Sequence, residues 1–327
     1  MRRVLVGMVL LLLAVVGGAV WWVDHPLSID KAPVDLAIEP GAHARGVAQL
    51  VAQSGVDVVP ELLYAWFRLS GQDRQIKAGS YEVEAGATPR SLLRKLVRGE
   101  ESLRSVTLVE GWNFRQVRAA LAAAPQLQAT SAALSEAALM DKMGRPGVAA
   151  EGRFFPDTYS YAKGSSDLQV LARSMRAMDK HLLAAWQSRA ADLPLKTPEQ
   201  ALVLASIVEK ETGRLSDQPL IAGVFVNRLR QGMLLQTDPT VIYGMGEKFD
   251  GNLRKKDLLT DTPWNTYTRA GLPPTPIAMP GKHALRAAVT PAQSDALYFV
   301  ARGDGTSQFS RSLDEHNQAV DKYQRKR

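Results

Sequence analysis

The chain has 327 residues, 46% of them hydrophobic and 22% charged, which is typical of a folded protein with two domains or one large domain and an appendage. Because it contains no cysteine, disulfide bonds, thiolate catalysis and thiolate metal sites are excluded. The net charge is +7, but no nucleic-acid-binding motif accompanies it. We therefore expect no nucleic-acid partner, and an anionic lipid or cell-wall polymer fits the charge better.

The N-terminal segment predicts a membrane anchor. Residues 4–23 carry no charge, and as a helix they reach about 30 Å, the thickness of the hydrocarbon core of a bilayer. Two arginines precede this run and two tryptophans end it, which predicts a cytoplasmic N-terminus and an interfacial aromatic belt. A cleaved signal peptide is the alternative, although Gly-Gly-Ala at 17–19 makes a poor cleavage site. We predict that residues 1–25 form the cytoplasmic N-terminus and a single transmembrane helix.

Residues 26–104 predict a small α+β unit. Residues 26–33 have a proline at each end and predict a linker. Apolar residues then alternate with other residues from Val34 to Ile38, which indicates a strand, and two helical patterns follow. A second strand is expected around Tyr81, before a helix that begins at Thr88-Pro89 and ends at Gly99. This order resembles the LysM-type modules that hold cell-wall sugar chains, and a simple spacer is the alternative.

The next segment, residues 105–190, predicts a strand followed by helices. It contains the aromatic stretch "EGRFFPDTYSY", Glu151 to Tyr161, beside a turn. Aromatic side chains at such a place pack in a core or, in a sugar-binding protein, stack on pyranose rings. A further helix is expected from about residue 167 to 189.

The stretch "TPEQALVLASIVEKETG" predicts a helix with clear ends. Thr197 can cap it, Pro198 suits the first helical position, and Gln200 completes a capping box. Gly213 suits the position just beyond the C-terminus. Two glutamates, Glu209 and Glu211, therefore fall in the last turn, where the helix dipole disfavours negative charge.

The helical periodicity separates these two glutamates. At about 100° per residue, Glu211 falls within the apolar stripe of Leu204, Ile207 and Val208, and Glu209 lies nearly opposite. Burial should raise the pKa of Glu211, as a general acid requires. From the residues alone, a catalytic acid and a structural partner of an arginine or lysine are equally good interpretations.

Two polar segments follow this helix. Residues 234–246 contain Gln236, Thr237, Asp238, Thr240 and Tyr243 around a proline, and residues 262–281 are rich in proline, glycine and uncharged polar groups. We expect loops here whose hydroxyl and amide groups bind a neutral polyhydroxylated ligand. The C-terminal stretch "DALYFVARGDGTSQFS" predicts a hairpin that turns at Asp304-Gly305. No G-x-S-x-G, P-loop or H-E-x-x-H motif occurs, so we expect no metal site and no cofactor.

Several of these segments together resemble the YceG-like, endolytic murein transglycosylase family. They are "EGRFFPDTY", "LASIVEKETG", "VFVNRLRQGMLLQTDPTVIYGMG", "NTYTRAGLPPTPIAMPG" and "LYFVARGDGTSQFS", in that order along the chain. The resemblance implies an α+β fold: a single N-terminal transmembrane helix, a LysM-like subdomain over 26–104 and a larger α+β catalytic domain over 105–327.

The resemblance also implies a function. It is cleavage of the bond between N-acetylmuramic acid and N-acetylglucosamine in nascent peptidoglycan strands, which leaves 1,6-anhydromuramic ends. Glu211 corresponds to the catalytic acid, and we expect the substrate to be bound by Gln236, Thr237, Asp238, Thr240, Tyr243, Asn265 and Tyr267. The implied setting is the outer face of the inner (plasma) membrane, in contact with the lipid bilayer and with peptidoglycan synthases.

Two other functions remain open at this point. One is a lysozyme-type hydrolase that uses Glu211 with Asp238 or Asp157 as its second carboxylate. The other is a non-catalytic scaffold that binds the cell wall.

Overall fold

A computed structural model describes residues 2–29 and 31–325 of the chain. The fold is α+β, as predicted, and it divides into two compact units. The first comprises residues 1–104 and 160–164, and the second comprises residues 105–159 and 165–327. The return of residues 160–164 to the first unit was not part of the contiguous division predicted from the sequence.

The first unit contains four helices and four strands among the residues described. In chain order they are α1 (Arg2–Val23), β1 (Ser28–Ile29), β2 (Val34–Ile38), α2 (Ala44–Gln53), β3 (Val56–Asp57), α3 (Pro60–Leu69), β4 (Gly79–Val83) and α4 (Pro89–Arg98), with a 3₁₀ turn at Asp73–Gln75. β2 pairs with β4 and β1 with β3, both antiparallel. Residues 26–33 are therefore not the plain linker that was predicted, because Ser28 and Ile29 form a strand.

The local signals for β2 and α4 are confirmed. Along β2, residues alternate between buried and exposed, so that Val34, Leu36 and Ile38 enter the core. α4 begins with a capping box between Thr88 and Ser91. It ends at Gly99, whose φ of 72° is in the left-handed region that glycine adopts without a steric penalty.

The apolar helix α1 is long enough to cross a membrane, as an anchor or a signal sequence would be. Its polar end is attached to the first unit. Val23 is buried, Trp22 packs against the core, and both carboxylate oxygens of Asp24 accept hydrogen bonds from Arg90, at 2.6 and 3.1 Å.

The second unit holds the remaining elements, except that the first two residues of β5 and the last three of β6 belong to the first unit. They are β5 (Leu103–Thr107), α5 (Phe114–Ala123), α6 (Glu136–Lys142), β6 (Thr158–Ala162), α7 (Asp167–Gln187), α8 (Pro198–Glu211), α9 (Gln218–Arg230), α10 (Asp238–Met245), α11 (Lys255–Leu259), α12 (Lys282–Val289), β7 (Tyr298–Ala301), β8 (Ser307–Ser310) and α13 (Leu313–Val320), with a 3₁₀ turn at Gly246–Lys248 and a π-helical turn at Asp321–Arg325. The chain passes between the two units within β5 and β6. The C-terminal hairpin β7–β8 is antiparallel, as predicted.

α8 is the central helix of the second unit. It contacts α7, α9, α10 and α12, and every residue from 201 to 208 is buried. The prediction of one buried stripe was therefore wrong, because the helix is covered on all sides. Even Ser206 is fully buried: its hydroxyl donates to the Val203 carbonyl and accepts from the Ile277 amide.

Two other local expectations need correction. Thr197 caps α8, but the amide oxygen of Gln200 accepts from Lys196 rather than closing a capping box. The expected loop over 234–246 contains helix α10, which starts at Asp238. In the aromatic stretch, Phe154 and Phe155 pack in the core, which is one of the two arrangements expected for it.

Candidate active site

Glu211 is the last residue of α8. The helix ends there because Thr212 is extended, with φ −153° and ψ 135°. The expected left-handed Gly213 does not provide the stop, since Gly213 is not among the described residues with positive φ. The end of the helix leaves the Glu211 side chain half-buried beside the N-terminus of α10.

The partner of Glu211 is Thr237, the residue that precedes α10. The Thr237 hydroxyl donates a short hydrogen bond to Oε1 of Glu211. At this position a threonine usually caps its own helix, but Thr237 makes no side-chain cap bond. Its hydroxyl is directed to the carboxyl instead.

Hydrogen bonds to Thr240 and Thr266 hold Thr237 in place. Its amide donates to Oγ1 of Thr266 at 3.1 Å, and its carbonyl accepts from the Thr240 hydroxyl at 2.8 Å. The Thr240 and Thr266 hydroxyls lie 2.9 Å apart and bond to each other. The amide of Gln236 also donates to the Thr266 carbonyl, at 3.1 Å. A buried threonine cluster thus fixes the hydroxyl that reaches Glu211.

The environment of Glu211 favours its protonated form. Burial raises its pKa from 4.5 to about 7, and the negative charge of nearby Asp238 contributes to this rise, whereas the hydrogen bond from Thr237 lowers the pKa. The carboxyl therefore changes protonation state near neutral pH, which suits a group that both donates and accepts a proton.

Asp238 and Tyr267 form a second hydrogen-bonded pair beside Glu211. The Tyr267 hydroxyl donates to Oδ1 of Asp238 at 2.6 Å. Burial raises the pKa of Tyr267, and the carboxylates of Asp238 and Glu211 add to this effect. The amide of Tyr267 donates to Asn265, whose own amide group donates to the Leu258 and Thr260 carbonyls. Asn265 thereby fixes the turn that presents Tyr267.

The residues expected to bind substrate occupy different environments. Asp238, Tyr267 and Gln236 are at least partly accessible, whereas Thr240 and Asn265 are fully buried with their side chains bonded to the protein. Oε1 of Gln236 accepts a weak bond from Arg228 at 3.4 Å, and Gln236 itself has φ 50°. The side chains of Thr240 and Asn265 are therefore not accessible to a ligand.

Tyr243, on α10, faces a different part of the same unit. Its ring packs edge-on against Trp264, with ring centres 5.5 Å apart, and its hydroxyl bonds to Glu151. Both oxygens of Glu151 also accept from the amide of Phe114, the first residue of α5, at 3.1 Å. Burial raises the pKa of Glu151 to about 7.

These residues line a cleft of about 1220 Å³ in the second unit. Its lining includes Phe114, Arg115, Glu151, Lys210, Pro239, Tyr243 and Trp264. Glu211 is not one of the lining residues, but Lys210 precedes it and Pro239 follows Asp238. The lining of the cleft therefore includes the sequence neighbours of both Glu211 and Asp238.

Glu209 differs from Glu211 in what it contacts. Its pKa is also raised, first by burial and then by the charge of Glu110, so a raised pKa alone does not separate the two glutamates. Oε2 of Glu209 accepts from the amide of Gly281 at 2.9 Å, which ties the end of α8 to the start of α12. Its contacts are those of a structural residue.

Asp157, the other candidate for a second carboxylate, interacts with groups other than Glu211. Its Oδ1 accepts from the amide of Thr158, and its charge acts on Tyr159 and His181. Asp238 is thus the carboxylate that acts on Glu211. Within the described parts of the chain, 2–29 and 31–325, no three His, Asp or Glu side chains come together as metal ligands would.

Sequence reasoning missed three residues that shape the site. Arg228 is buried and donates to the carbonyls of Leu234 and Leu235, so it holds the segment before Thr237. Thr266 completes the threonine cluster, and Glu151 joins α5 to Tyr243. Glu151 alone carried a usable signal, since it is a carboxyl at the edge of an aromatic stretch.

Comparison with known proteins identifies the family. The model of the YceG-like family matches residues 36–322, so the chain belongs to the YceG-like family. It is 29% identical over 330 residues to a protein of Bacillus subtilis named endolytic murein transglycosylase, a match that covers 94% of this chain and 91% of that protein.

Two further comparisons agree with this assignment. Proteins of the same name from two Streptococcus pneumoniae strains are 27% identical over 334 residues, and the match covers 91% of this chain but 60% of theirs. A crystal structure of a YceG-like protein from Listeria monocytogenes is similar with a TM-score of 0.55 at 27% identity, over 88% of this chain and 99% of that one. The resemblance seen in the sequence is confirmed at the level of the family.

Proposed function

We propose that this protein is an endolytic murein transglycosylase, a lyase that cuts peptidoglycan strands internally. The family and the names of the relatives support this assignment. The observation that carries it is the carboxyl of Glu211, which has one hydroxyl partner and a pKa of about 7 at the end of the central helix.

In the first step, protonated Glu211 donates its proton to the glycosidic oxygen between N-acetylmuramic acid and N-acetylglucosamine. The bond from the anomeric carbon to that oxygen breaks, and an oxocarbenium-like centre develops on the muramic sugar. The acid must be protonated at this moment, and its raised pKa supplies that state near neutral pH.

In the second step, Glu211 acts as a base. Its carboxylate takes the proton from the C6 hydroxyl of the same muramic sugar, and the C6 oxygen bonds to the anomeric carbon. The product is a 1,6-anhydro ring, and no water is consumed. Because the nucleophile belongs to the sugar, one carboxyl is sufficient, and proximity lowers the barrier.

The neighbouring residues have supporting roles in this scheme. Thr237 holds the Glu211 carboxyl, while Asp238 and Tyr267 place a charge and a hydroxyl beside the reacting sugar. Tyr243 and Gln236 contact the strand on either side. Thr240 and Asn265 act through Thr237 and Tyr267.

Product analysis tests the assignment. Purified protein is incubated with uncross-linked glycan strands, and the fragments are read by mass spectrometry. We expect anhydromuramic ends on internal fragments. Free reducing ends would indicate a hydrolase in which Asp238 serves as the second carboxylate, and binding without cleavage would indicate a scaffold.

We further propose that α1 anchors the protein with its N-terminus in the cytoplasm and both units outside. The flanking arginines Arg2 and Arg3 support this orientation. In this position the enzyme would meet nascent strands beside the synthases that make them. A C-terminal alkaline phosphatase fusion should be active, and activity of a cytoplasm-only reporter at the same place would contradict the orientation.

The LysM-like character of residues 26–104 remains a proposal. Its order of β2, helices, β4 and α4 supports it. A unit that holds glycan should raise activity on long strands more than on short fragments, whereas a spacer should affect both equally.

A further inference from the structure

Helix α3 has apolar side chains on two faces. Leu63 and Phe67 point inward and are fully buried in the core of the first unit. Just before and along the helix, Val59, Leu62, Trp66 and Leu69 follow one another at intervals of three, four and three residues, so they form a second stripe on another face. A helix that served only the core would carry polar residues at those positions.

This second stripe is open to solvent. Val59, Leu62 and Leu69 are 54%, 51% and 86% exposed, and Trp66 is half-buried. Beyond residue 23, the described part of the chain has nine large hydrophobic side chains in the exposed class, and three of them lie here. Such a concentration indicates a surface that meets an apolar phase or a partner.

Helix α4 adds positive charge next to the stripe. It contains four basic residues and no acidic one, and Arg90, Arg94 and Arg98 recur every four residues, so they share a face. Arg94 and Arg98 line a groove of about 420 Å³ together with Trp66. Within the described residues the Arg94 side chain has no hydrogen-bond or ion-pair partner, and the Arg98 guanidinium has only a contact of 3.5 Å to Glu100.

Arg90, which lines the groove, connects it to the polar end of the membrane-length helix. Asp24 follows the last residue of α1 and binds the Arg90 guanidinium with both oxygens. That guanidinium lies over the Trp66 ring, 5.4 Å from its centre, and the indole N–H donates to the Pro89 carbonyl. The end of α1, the arginine face of α4 and the stripe of α3 are therefore joined through direct contacts.

We propose that this surface, formed by Val59, Leu62, Trp66, Leu69, Arg94 and Arg98 and called here the docking face, binds the anionic phospholipid surface of the bilayer that α1 spans. An exposed apolar stripe next to arginines and a tryptophan is the composition of an interfacial membrane-binding helix. Attachment to the end of α1 places the face at the level of the lipid headgroups. The inference rests on α1 spanning the membrane and does not involve Glu211 or the cleft.

Docking on lipid fixes the orientation of the first unit relative to the bilayer. Leu62 and Leu69 enter the boundary of the acyl chains, and Arg94 and Arg98 pair with lipid phosphates. Each arginine near an anionic surface contributes roughly fivefold to the docking equilibrium.

The absence of cysteine allows a direct test on the full-length chain. A single cysteine at Leu62→Cys or Leu69→Cys carries a nitroxide label, and the protein is reconstituted in vesicles of phosphatidylcholine with phosphatidylglycerol. Leu103→Cys is the matched control, because Leu103 is an exposed leucine of the same unit, at 52% against 51% for Leu62. The measurement compares relaxation of the label by oxygen, which enters lipid, with relaxation by a water-soluble nickel chelate.

We expect a higher ratio of oxygen to nickel relaxation at positions 62 and 69 than at 103. The ratio should fall in phosphatidylcholine alone, and the double variant Arg94→Gln/Arg98→Gln should weaken docking roughly 25-fold at unchanged cleavage activity in detergent. Equal ratios at all three positions would overturn the proposal. Exclusion of both reagents from positions 62 and 69 would also overturn it, because that indicates a protein partner or a second copy. A relaxation ratio that does not depend on anionic lipid would overturn it as well.

Discussion

The Thr237 hydroxyl donates a hydrogen bond to the carboxyl of Glu211, and this bond joins the end of α8 to the start of α10. Because the Thr237 hydroxyl is directed to Glu211, it makes no capping bond to its own helix. Thr240 and Thr266 hold Thr237 from behind, so the hydroxyl is preorganised toward the carboxyl. The bond lowers the pKa of Glu211, whereas burial and the charge of Asp238 raise it.

Thr237→Val should raise the pKa of Glu211, because it removes the one contact that favours the charged carboxylate while keeping the shape of the side chain. A hydrogen bond to a charged group contributes about 1.5–3 kcal/mol, equivalent to roughly one to two pKa units. The pH above which kcat/KM falls should move upward by that amount. Thr290→Val, at an exposed hydroxyl at the end of α12, is the control. An unchanged pH profile would mean that Thr237 does not act on the carboxyl.

Asp238→Asn should move the same profile in the opposite direction. The charge of Asp238 raises the pKa of Glu211, and asparagine removes that charge while it can still accept from the Tyr267 hydroxyl. We expect the fall in kcat/KM to shift to lower pH, with anhydro products retained and about tenfold or smaller loss at the optimum. If activity drops as far as with Glu211→Gln, Asp238 is a second catalytic carboxylate and the hydrolase mechanism applies.

Glu211→Gln should stabilise the folded protein in a pH-dependent way. The carboxyl binds its proton more tightly in the folded state, so its burial costs nothing below a pH of about 4.5. The cost grows as the pH rises and is complete above about 7, where it is on the order of 3 kcal/mol. Urea unfolding should therefore show a larger gain for the variant above that pKa than below pH 4.5. An equal gain at both ends would contradict the raised pKa.

The stability of an N-terminally truncated protein should depend on where the truncated chain begins. Val23 is buried and Asp24 binds Arg90, so a chain that starts at Trp21 keeps contacts that a chain starting at Pro26 loses. Both should be soluble without detergent and retain cleavage activity, but the shorter one should be less stable by about 1.5–3 kcal/mol in urea unfolding. Equal stability would show that the end of α1 contributes nothing to the first unit.

The local elements were predictable because their causes are local. The alternation of Val34, Leu36 and Ile38 specifies β2, and Thr88, Pro89 and Gly99 mark the ends of α4. The same logic should have identified α10, since Thr237-Asp238-Pro239 is also a helix start. Its polar residues equally favour a ligand-binding loop, because the same residue types begin helices and bind sugars.

The environment of the carboxyl was not predictable in the same way. A helical wheel compares residues within one helix, but α8 is covered by four other helices, of which α12 is the farthest along the chain. Its burial on every side, the bond from Thr237 and the support from Arg228 all arise from tertiary contacts. The sequence pointed to Glu211 through periodicity and family resemblance, and the hydrogen-bonding partners became visible only in the fold.

The most direct measurement compares Glu211→Gln with Glu209→Gln for release of anhydromuropeptides from glycan strands. Glutamine preserves the shape and an acceptor oxygen at both positions, so it can keep the bond from Thr237 or from Gly281. Glu211→Gln should reduce the rate by at least about 10²–10⁴-fold with folding retained, because one group serves as both acid and base. Glu209→Gln should retain most of the activity. An active Glu211→Gln beside an inactive, folded Glu209→Gln would contradict the assignment of Glu211 as the catalytic acid.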